Sequence, residues 1–200
     1  MFRAVIYDLD GMLLRGTRFS EVYRNEFGIP EETMHAFFDG GPFEECILGR
    51  ADLKQVLNDN WLRLWKWSST AEELLEYWFK TGNTFDAEIA DTIPVLRRKG
   101  VLCVLATNNE KYRMAHVRNA YGLDAFFDRI FCSSEMGCKK PDAEFFDSIM
   151  QYFGSEIRRE NVLFWDDRLR YVESANNYGF SSFLYSTPRE YMNVCREKFL

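Results

Sequence analysis

The chain alternates short, mainly apolar runs with longer stretches in which apolar residues recur every three or four positions. Five runs read as buried strands: Ala4–Tyr7, Val101–Ala106, Arg129–Cys132, Val162–Trp165 and Ser182–Tyr185, each bounded by polar or turn residues. Amphipathic patterns lie between them. Asp86–Arg98 puts Ile89, Ile93 and Leu96 on one face and stops before Gly100, and Pro94 inside it predicts a kink or a break into two short helices. Lys111–Tyr121 stops at Gly122. Pro141–Tyr152 opens on a proline at its expected first helical position and stops before Gly154, and Leu169–Tyr178 stops at Gly179. From about residue 86 onward this rhythm predicts an α/β fold, a doubly wound parallel sheet with right-handed crossovers.

Residues 14–85 break the rhythm. No convincing strand is visible there. The patterns are helical, over Ser20–Phe27, Glu31–Phe38, Glu44–Leu48, Leu53–Leu64 and Ala71–Phe79. Thr70 precedes the last of these with Glu73 three residues on, the spacing of a capping box. Trp61 and Trp65, and Leu74 and Trp78, are four apart and share helix faces, so with Trp67, Tyr77 and Phe79 they predict the core of this segment. The expected organisation is an α/β core domain from residues 1–14 and 86–200 and a small helical cap domain from residues 15–85. An insertion after the first strand emerges at the carboxyl edge of the sheet, where ligands of α/β folds bind, which predicts a lid. A helical subdomain without a gating role is the plainer alternative. Arg50 or Lys54 could face the site and read a substrate, with surface exposure the plainer expectation, and Arg189–Lys198 reads as a solvated final helix.

Composition narrows the function. The chain is 46% hydrophobic and 16% aromatic, enough apolar area to offset chain entropy, so it is not disordered. A net charge of −6 argues against a nucleic-acid binder working through a basic stripe, though not against a small anionic substrate held by local cations. No apolar run approaches a membrane span, and no secretory leader is visible. The cysteines (Cys46, Cys103, Cys132, Cys138 and Cys195) are odd in number and form no C-x-x-C pair, which fits reduced thiols and predicts a cytoplasmic location. The two histidines, His35 and His116, have no ligand partners at metal spacing. Chemistry here must lean on carboxylates, hydroxyls and lysine.

Four strand ends carry such groups. The first strand runs into Asp8-Leu9-Asp10-Gly11; alternation along an extended chain sends both acids to one side, and Gly11 permits a close turn. Crowded carboxylates need a cation or a shared proton, and a hard divalent ion such as Mg²⁺ takes oxygen ligands of this kind. An acid-rich surface turn is the other reading of these four residues alone. The second strand ends in Thr107-Asn108-Asn109, a hydroxyl and amides fit to cradle an anion or simply to cap the next helix. Lys139 and Lys140 precede Pro141, and Lys140 could hold a phosphoryl group or pair with Asp8. The fourth strand ends in Asp166-Asp167, of which a helix cap explains one. All strand ends of a parallel sheet open on one edge, so the four groups can converge.

In these motifs, their order and their spacing, the chain resembles the haloacid dehalogenase superfamily over essentially its whole length: Asp8-Leu9-Asp10-Gly11, Thr107-Asn108, Lys140-Pro141-Asp142 and Asp166-Asp167, with the helical segment placed as that family's cap. The resemblance implies a hydrolase that acts through an aspartyl-phosphate. Asp8 would be the nucleophile, and Asp10 would protonate the leaving oxygen and then activate water. Thr107 and Asn108 would bind phosphoryl oxygens, and Lys140 would neutralise charge beside them. Mg²⁺ would be held by Asp8, the Asp10 carbonyl and Asp167, with Asp166 in support. The acid at position 10 favours phosphate chemistry over dehalogenation. The implied substrate is a small soluble phosphate, with no nucleic-acid or membrane partner. A phosphomutase, or a non-catalytic binding protein retaining the fold, is the alternative. One departure stands out: Tyr171 occupies the position, four residues past the last acid, where the family often has Asn or Asp.

Overall fold

The computed structural model describes residues 1–81 and 83–199. Five parallel strands form one sheet: β1 (Ala4–Tyr7), β4 (Leu102–Thr107), β5 (Arg129–Cys132), β6 (Val162–Asp166) and β7 (Ser181–Leu184), in the order β5-β4-β1-β6-β7. β1 is central and fully buried, as a continuous apolar run requires. Tyr7 lies opposite Leu105 on one side and Trp165 on the other, so the chain leaves β1 at Asp8 level with Asp166.

Alternate residues feed two apolar layers. Val5, Tyr7, Cys103, Leu105, Leu163 and Trp165 face one way; Ala4, Ile6, Val104, Ala106, Val162 and Phe164 face the other. Helices α7 (Ala87–Ala90), α8 (Thr92–Arg98), α9 (Lys111–Tyr121), α10 (Leu123–Phe126) and α14 (Pro188–Phe199) contribute to the first layer. Helices α12 (Ala143–Phe153) and α13 (Leu169–Tyr178) contribute to the second, and α11 (Ser133–Met136) follows β5. The predicted doubly wound α/β sheet is therefore present.

The helical segment contains α1 (Phe19–Phe27), α2 (Glu31–Phe38), α3 (Phe43–Ile47), α4 (Leu53–Val56), α5 (Leu62–Leu64) and α6 (Ala71–Lys80), with a π turn at Leu57–Trp61 joining α4 to α5. Its own core gathers Phe19, Tyr23, Phe37, Leu57, Trp65, Leu74 and Trp78, with Trp61, Trp67 and Tyr77 packed at its margin. Thr70 caps α6 by accepting the Glu73 N–H at 3.3 Å.

Four local expectations need correction. First, the segment is not strand-free: β2 (Leu14–Arg15) and β3 (Thr84–Phe85) pair antiparallel at its root, two residues each and too short to leave a periodic signal. Second, Asp86–Arg98 does divide, but at Asp91; Pro94 sits in the first turn of α8, where its missing N–H costs no helical bond. Third, Pro141 lies in the turn ahead of α12, whose N-cap is Asp142. Fourth, α14 is anchored rather than merely solvated: Tyr191 is fully buried, its hydroxyl 3.2 Å from that of Tyr7 and its ring against Trp165.

Candidate active site

Lys140 organises the carboxyl edge of the sheet. It is 1% exposed, with Nζ 2.7 Å from Asp8 Oδ1 and 2.6 Å from Asp166 Oδ2, and it lies over the rings of Phe164 and Tyr171 at 5.7 and 5.3 Å. Burial alone would discharge the ammonium, but Asp166 and Asp8 outweigh it and hold the lysine protonated. Burial drives the Asp8 carboxyl well above the usual range; Lys140 opposes this, while Asp166 and Asp10 push it further up. Asp167, half-buried, is raised by burial and then by Asp166.

Single oxygens of Asp8, Asp166 and Asp167 lie within 4.8 Å of one another. Three acids around one ammonium leave negative charge uncompensated, and three oxygens at that spacing suit a hard divalent cation such as Mg²⁺. Gly11 makes room for this cluster. A Cβ at its φ of +88° would lie 2.2 Å from Asp167 Oδ2.

Asp10 is placed differently from its sequence reading. Its side chain is not part of the Asp8–Asp166–Asp167 cluster and has partners of its own. Arg113 of α9 grips Asp10 with Nη1 at 2.7 Å from Oδ2 and Nη2 at 2.5 Å from Oδ1, and Asn109 Nδ2 donates to Oδ2 at 2.7 Å. Burial presses the carboxyl upward, but the guanidinium wins and the group sits below its ordinary range. The Asp10 carboxylate is thus outside the acid cluster, which leaves its backbone carbonyl as the group to consider for a metal.

Thr107 is buried and its Oγ1 accepts from Asn109 Nδ2 at 2.7 Å. Asn108 spends its side chain on Lys140: Oδ1 accepts the Lys140 N–H at 2.9 Å and Nδ2 donates to the Lys140 carbonyl at 2.8 Å. It joins the second strand end to the third rather than presenting an amide to a ligand. Tyr171 completes this tie, its hydroxyl accepting from Asn108 Nδ2 at 3.2 Å. That gives a role to a tyrosine where the resemblance implies Asn or Asp: it braces a loop and offers Lys140 a π face.

Lys139, the neighbour of Lys140, turns away and pairs with Glu44 of α3. Further links bind the helical segment to the core. Ser133 Oγ donates to the Ile47 carbonyl at 2.8 Å and accepts the Asn109 N–H at 3.1 Å. Asp52 Oδ2 accepts from Lys111 Nζ at 2.6 Å and from the Tyr112 hydroxyl at 2.7 Å. Arg50 and Lys54 instead pair with Glu45 and Glu72, outside the cavity. Between segment and core lies a cavity of about 630 Å³, lined by Asp8, Asp10, Thr107, Asn108, Lys140 and Asp167 at one end and by Phe19, Phe38, Phe43 and Trp78 of the helical segment.

Sequence reasoning missed Arg113, Ser133 and the structural part of Tyr171, and gave Asn109 only as one amide of the strand-end cradle. Arg113 has no distinguishing signal: it is one of two arginines on α9, and only packing shows that it is buried while Arg118 reaches an exposed Asp124.

The family profile described as haloacid dehalogenase-like hydrolase matches residues 2–179. The chain belongs to that family of hydrolases. It is 31% identical over 115 residues to an uncharacterized hydrolase of Schizosaccharomyces pombe, covering 54% of this chain and 50% of that one. It is 39% identical over 64 residues to a drimenol cyclase of Aspergillus calidoustus, covering 32% of this chain and 12% of the cyclase. The chain thus spans half or less of the curated relatives it matches. Among solved structures, a HAD-like hydrolase from Porphyromonas gingivalis superposes with a TM-score of 0.82 at 22% identity, covering 98% of this chain and 97% of that one. A HAD family enzyme from Bacteroides thetaiotaomicron, in complex with magnesium and inorganic phosphate, gives 0.78 at 19% identity, covering 93% and 95%. The L-2-haloacid dehalogenase of Xanthobacter autotrophicus, with chloropropionic acid covalently bound, gives 0.64 at 16% identity, covering 100% and 84%. Likeness at these identities shows the fold. No helix among the described residues is long and apolar enough to cross a membrane.

Proposed function

We propose that the protein is a Mg²⁺-dependent phosphomonoester hydrolase acting on a small phosphorylated metabolite, with residues 15–85 serving as a cap over the site. The observation that carries this reading is the Lys140 ammonium fixed between Asp8 and Asp166 with Asp167 alongside. A nucleophilic carboxylate, a buried cation and acids fit for a metal meet at the edge of the sheet where ligands of α/β folds bind.

Asp8 Oδ1 is held by Lys140, which leaves Oδ2 to attack phosphorus. The new Asp8–phosphorus bond forms as the bond to the leaving oxygen breaks, and that oxygen takes its electron pair and a proton from Asp10. Water then attacks the aspartyl-phosphate, Asp10 accepts the water's proton, and the Asp8 carboxylate is released. Thr107 Oγ1 and the Asn108 N–H serve the phosphoryl oxygens, and Lys140 offsets charge gathering on them. Asp8, Asp167 and the Asp10 carbonyl would hold Mg²⁺, with Asp166 in support; when bound, the ion shields one anion's approach to another and clamps a phosphoryl oxygen. The acid at position 10 has no part in displacing a halide, which favours the phosphatase over a dehalogenase.

The test is hydrolysis of p-nitrophenyl phosphate and a panel of phosphorylated metabolites with Mg²⁺ or EDTA. Turnover that disappears with EDTA and in Asp8→Asn is expected. Turnover that survives either change overturns the assignment.

A further inference from the structure

The cavity is far larger than a phosphoryl group needs, and its outer part has a charge pattern of its own. Seven lysines and arginines line it. Four are paired with acids: Arg24 with Glu31, Arg113 with Asp10, Lys139 with Glu44, and Lys140 with Asp8 and Asp166. The other three, Arg18, Arg168 and Arg170, are exposed at the mouth and have no carboxylate partner among the described residues. Carboxylates line the cavity too, and Asp167 feels the charge of both Arg168 and Arg18, so the three guanidiniums are separate points of positive charge rather than a net positive cavity.

Their placement is not that of loose surface side chains. Arg168 follows the acid pair directly, and its N–H donates to Asp166 Oδ1 at 2.9 Å, so its backbone is fixed relative to the phosphoryl end. Arg170 is steadied by a 2.7 Å bond from Nη2 to the Tyr171 hydroxyl. Arg18 stands just ahead of α1 and belongs to the helical segment. The mouth therefore has cations on both walls, one wall from the core and one from the cap. Lys140 and the acid cluster already provide for the phosphoryl group, so these arginines are available to another charge.

Resting on the phosphatase reading above, we infer that the substrate carries a second anionic group, a carboxylate or a second phosphate, on the portion that leaves, and that Arg18 and Arg168 are the specificity-determining residues that read it. Guanidinium suits either anion, because its paired N–H groups match two oxygens at once. The same cavity is also lined by Phe19, Phe38, Phe43 and Trp78, apolar surface fit for an uncharged part of the substrate. A substrate held at both ends touches both walls, so the second anion favours the closed arrangement of cap and core.

The experiment uses the whole protein with Mg²⁺ and four phosphate esters of one alkyl chain: ending in a methyl group, a carboxylate, a second phosphate or an amine. The esters with an anionic end should exceed the neutral one in kcat/KM by about tenfold or more, and the amine should fall below it. Comparing carboxylate with phosphate identifies which anion is preferred. Arg18→Gln and Arg168→Gln should each reduce the anionic-to-neutral ratio about tenfold, chiefly through KM, and Arg168→Lys should recover part of it. A ratio near one in the natural protein, or one unmoved by both glutamine variants, overturns the inference while leaving the phosphatase standing. Failure to hydrolyse any of the four esters overturns both.

Discussion

Arg113 closes a two-pronged grip on Asp10 across more than a hundred residues of chain, with Nη1–Oδ2 at 2.7 Å and Nη2–Oδ1 at 2.5 Å. Asn109 shares the grip, donating to Asp10 at 2.7 Å and accepting from Arg113 at 2.8 Å. The grip keeps Asp10 ionised, ready to take a proton from water. An arriving phosphate dianion raises the proton affinity of a neighbouring carboxylate, which lets Asp10 deliver a proton to the leaving oxygen as well. Arg113→Met releases the Asp10 side chain from its fixed position near the leaving oxygen and should lower kcat on an alkyl phosphate by about a hundredfold or more. p-Nitrophenyl phosphate, whose leaving group needs little protonation, should lose much less. Equal losses on both substrates would remove Arg113 from proton handling.

Asp8, the proposed nucleophile, is held at a cost to stability. Burial, Asp166 and Asp10 all disfavour its charge, and Lys140 alone supports it. Asp8→Asn keeps the shape, removes the repulsion and leaves Lys140 paired with Asp166. Its melting temperature should equal or exceed that of the natural protein, while turnover falls by about a thousandfold or more. Lys140→Met does the reverse, stranding buried acids, and should cost about 3–5 kcal/mol in urea unfolding. A melting temperature lowered in Asp8→Asn would mean that the Lys140–Asp8 bond stabilises more than the crowded acids repel.

The two predictions differ in how legible their residues were. Asp8 and Asp166 stand at the ends of apolar runs that read as buried strands, and a parallel sheet brings such ends to one edge whatever their spacing in sequence; Lys140 reaches the same edge from the turn beyond α11 and was legible only by its place in the motif order. Arg113 and Ser133 lie on helices, where the side chain's partner depends on how the helix rolls against the sheet. The short β2–β3 ribbon escaped for another reason. Two residues per strand give no alternation to read, and the paired residues, Leu14 with Phe85 and Arg15 with Thr84, stand at opposite ends of the helical segment. Asn108 was legible as a polar strand end but not as a brace, because its partner is the backbone of Lys140, and any residue there has the same backbone.

Asp52 joins cap and core in a way that pH can test. Oδ1 caps α4 through the Lys54 and Gln55 N–H groups at 3.0 and 3.2 Å, while Oδ2 holds Lys111 and Tyr112 of α9. The bond from Lys111 is the largest influence; burial opposes it, Tyr112 and Gln55 add to it, and the carboxyl falls to about 2. The folded value lies below the unfolded one of about 3.9, so this stabilisation is complete above that pH and is lost as pH falls through about 2. Because Lys111 is exposed, solvent screening reduces the contribution to about 1 kcal/mol. Asp52→Asn should lower stability by that amount near neutral pH and by almost nothing in strong acid, as read from urea midpoints across the range. A difference that stays constant with pH would show that the carboxylate's charge contributes nothing.

Gly11 and Gly122 separate backbone strain from crowding at the site. Both have positive φ, +88° and +62°, so alanine strains the backbone at either. They differ in what a Cβ meets: at Gly122 nothing lies within 4 Å, whereas at Gly11 Asp167 Oδ2 and Cγ would stand 2.2 and 2.4 Å away. Gly122→Ala should cost about 1 kcal/mol of stability and leave Mg²⁺ binding, followed by titration calorimetry, unchanged. Gly11→Ala should cost at least as much and also displace the Asp167 carboxylate, weakening Mg²⁺ about tenfold or more by removing or misplacing one ligand of the cluster. If both variants bind Mg²⁺ like the natural protein, Asp167 is not a ligand, and the ion, if it binds at all, rests on Asp8 and Asp166.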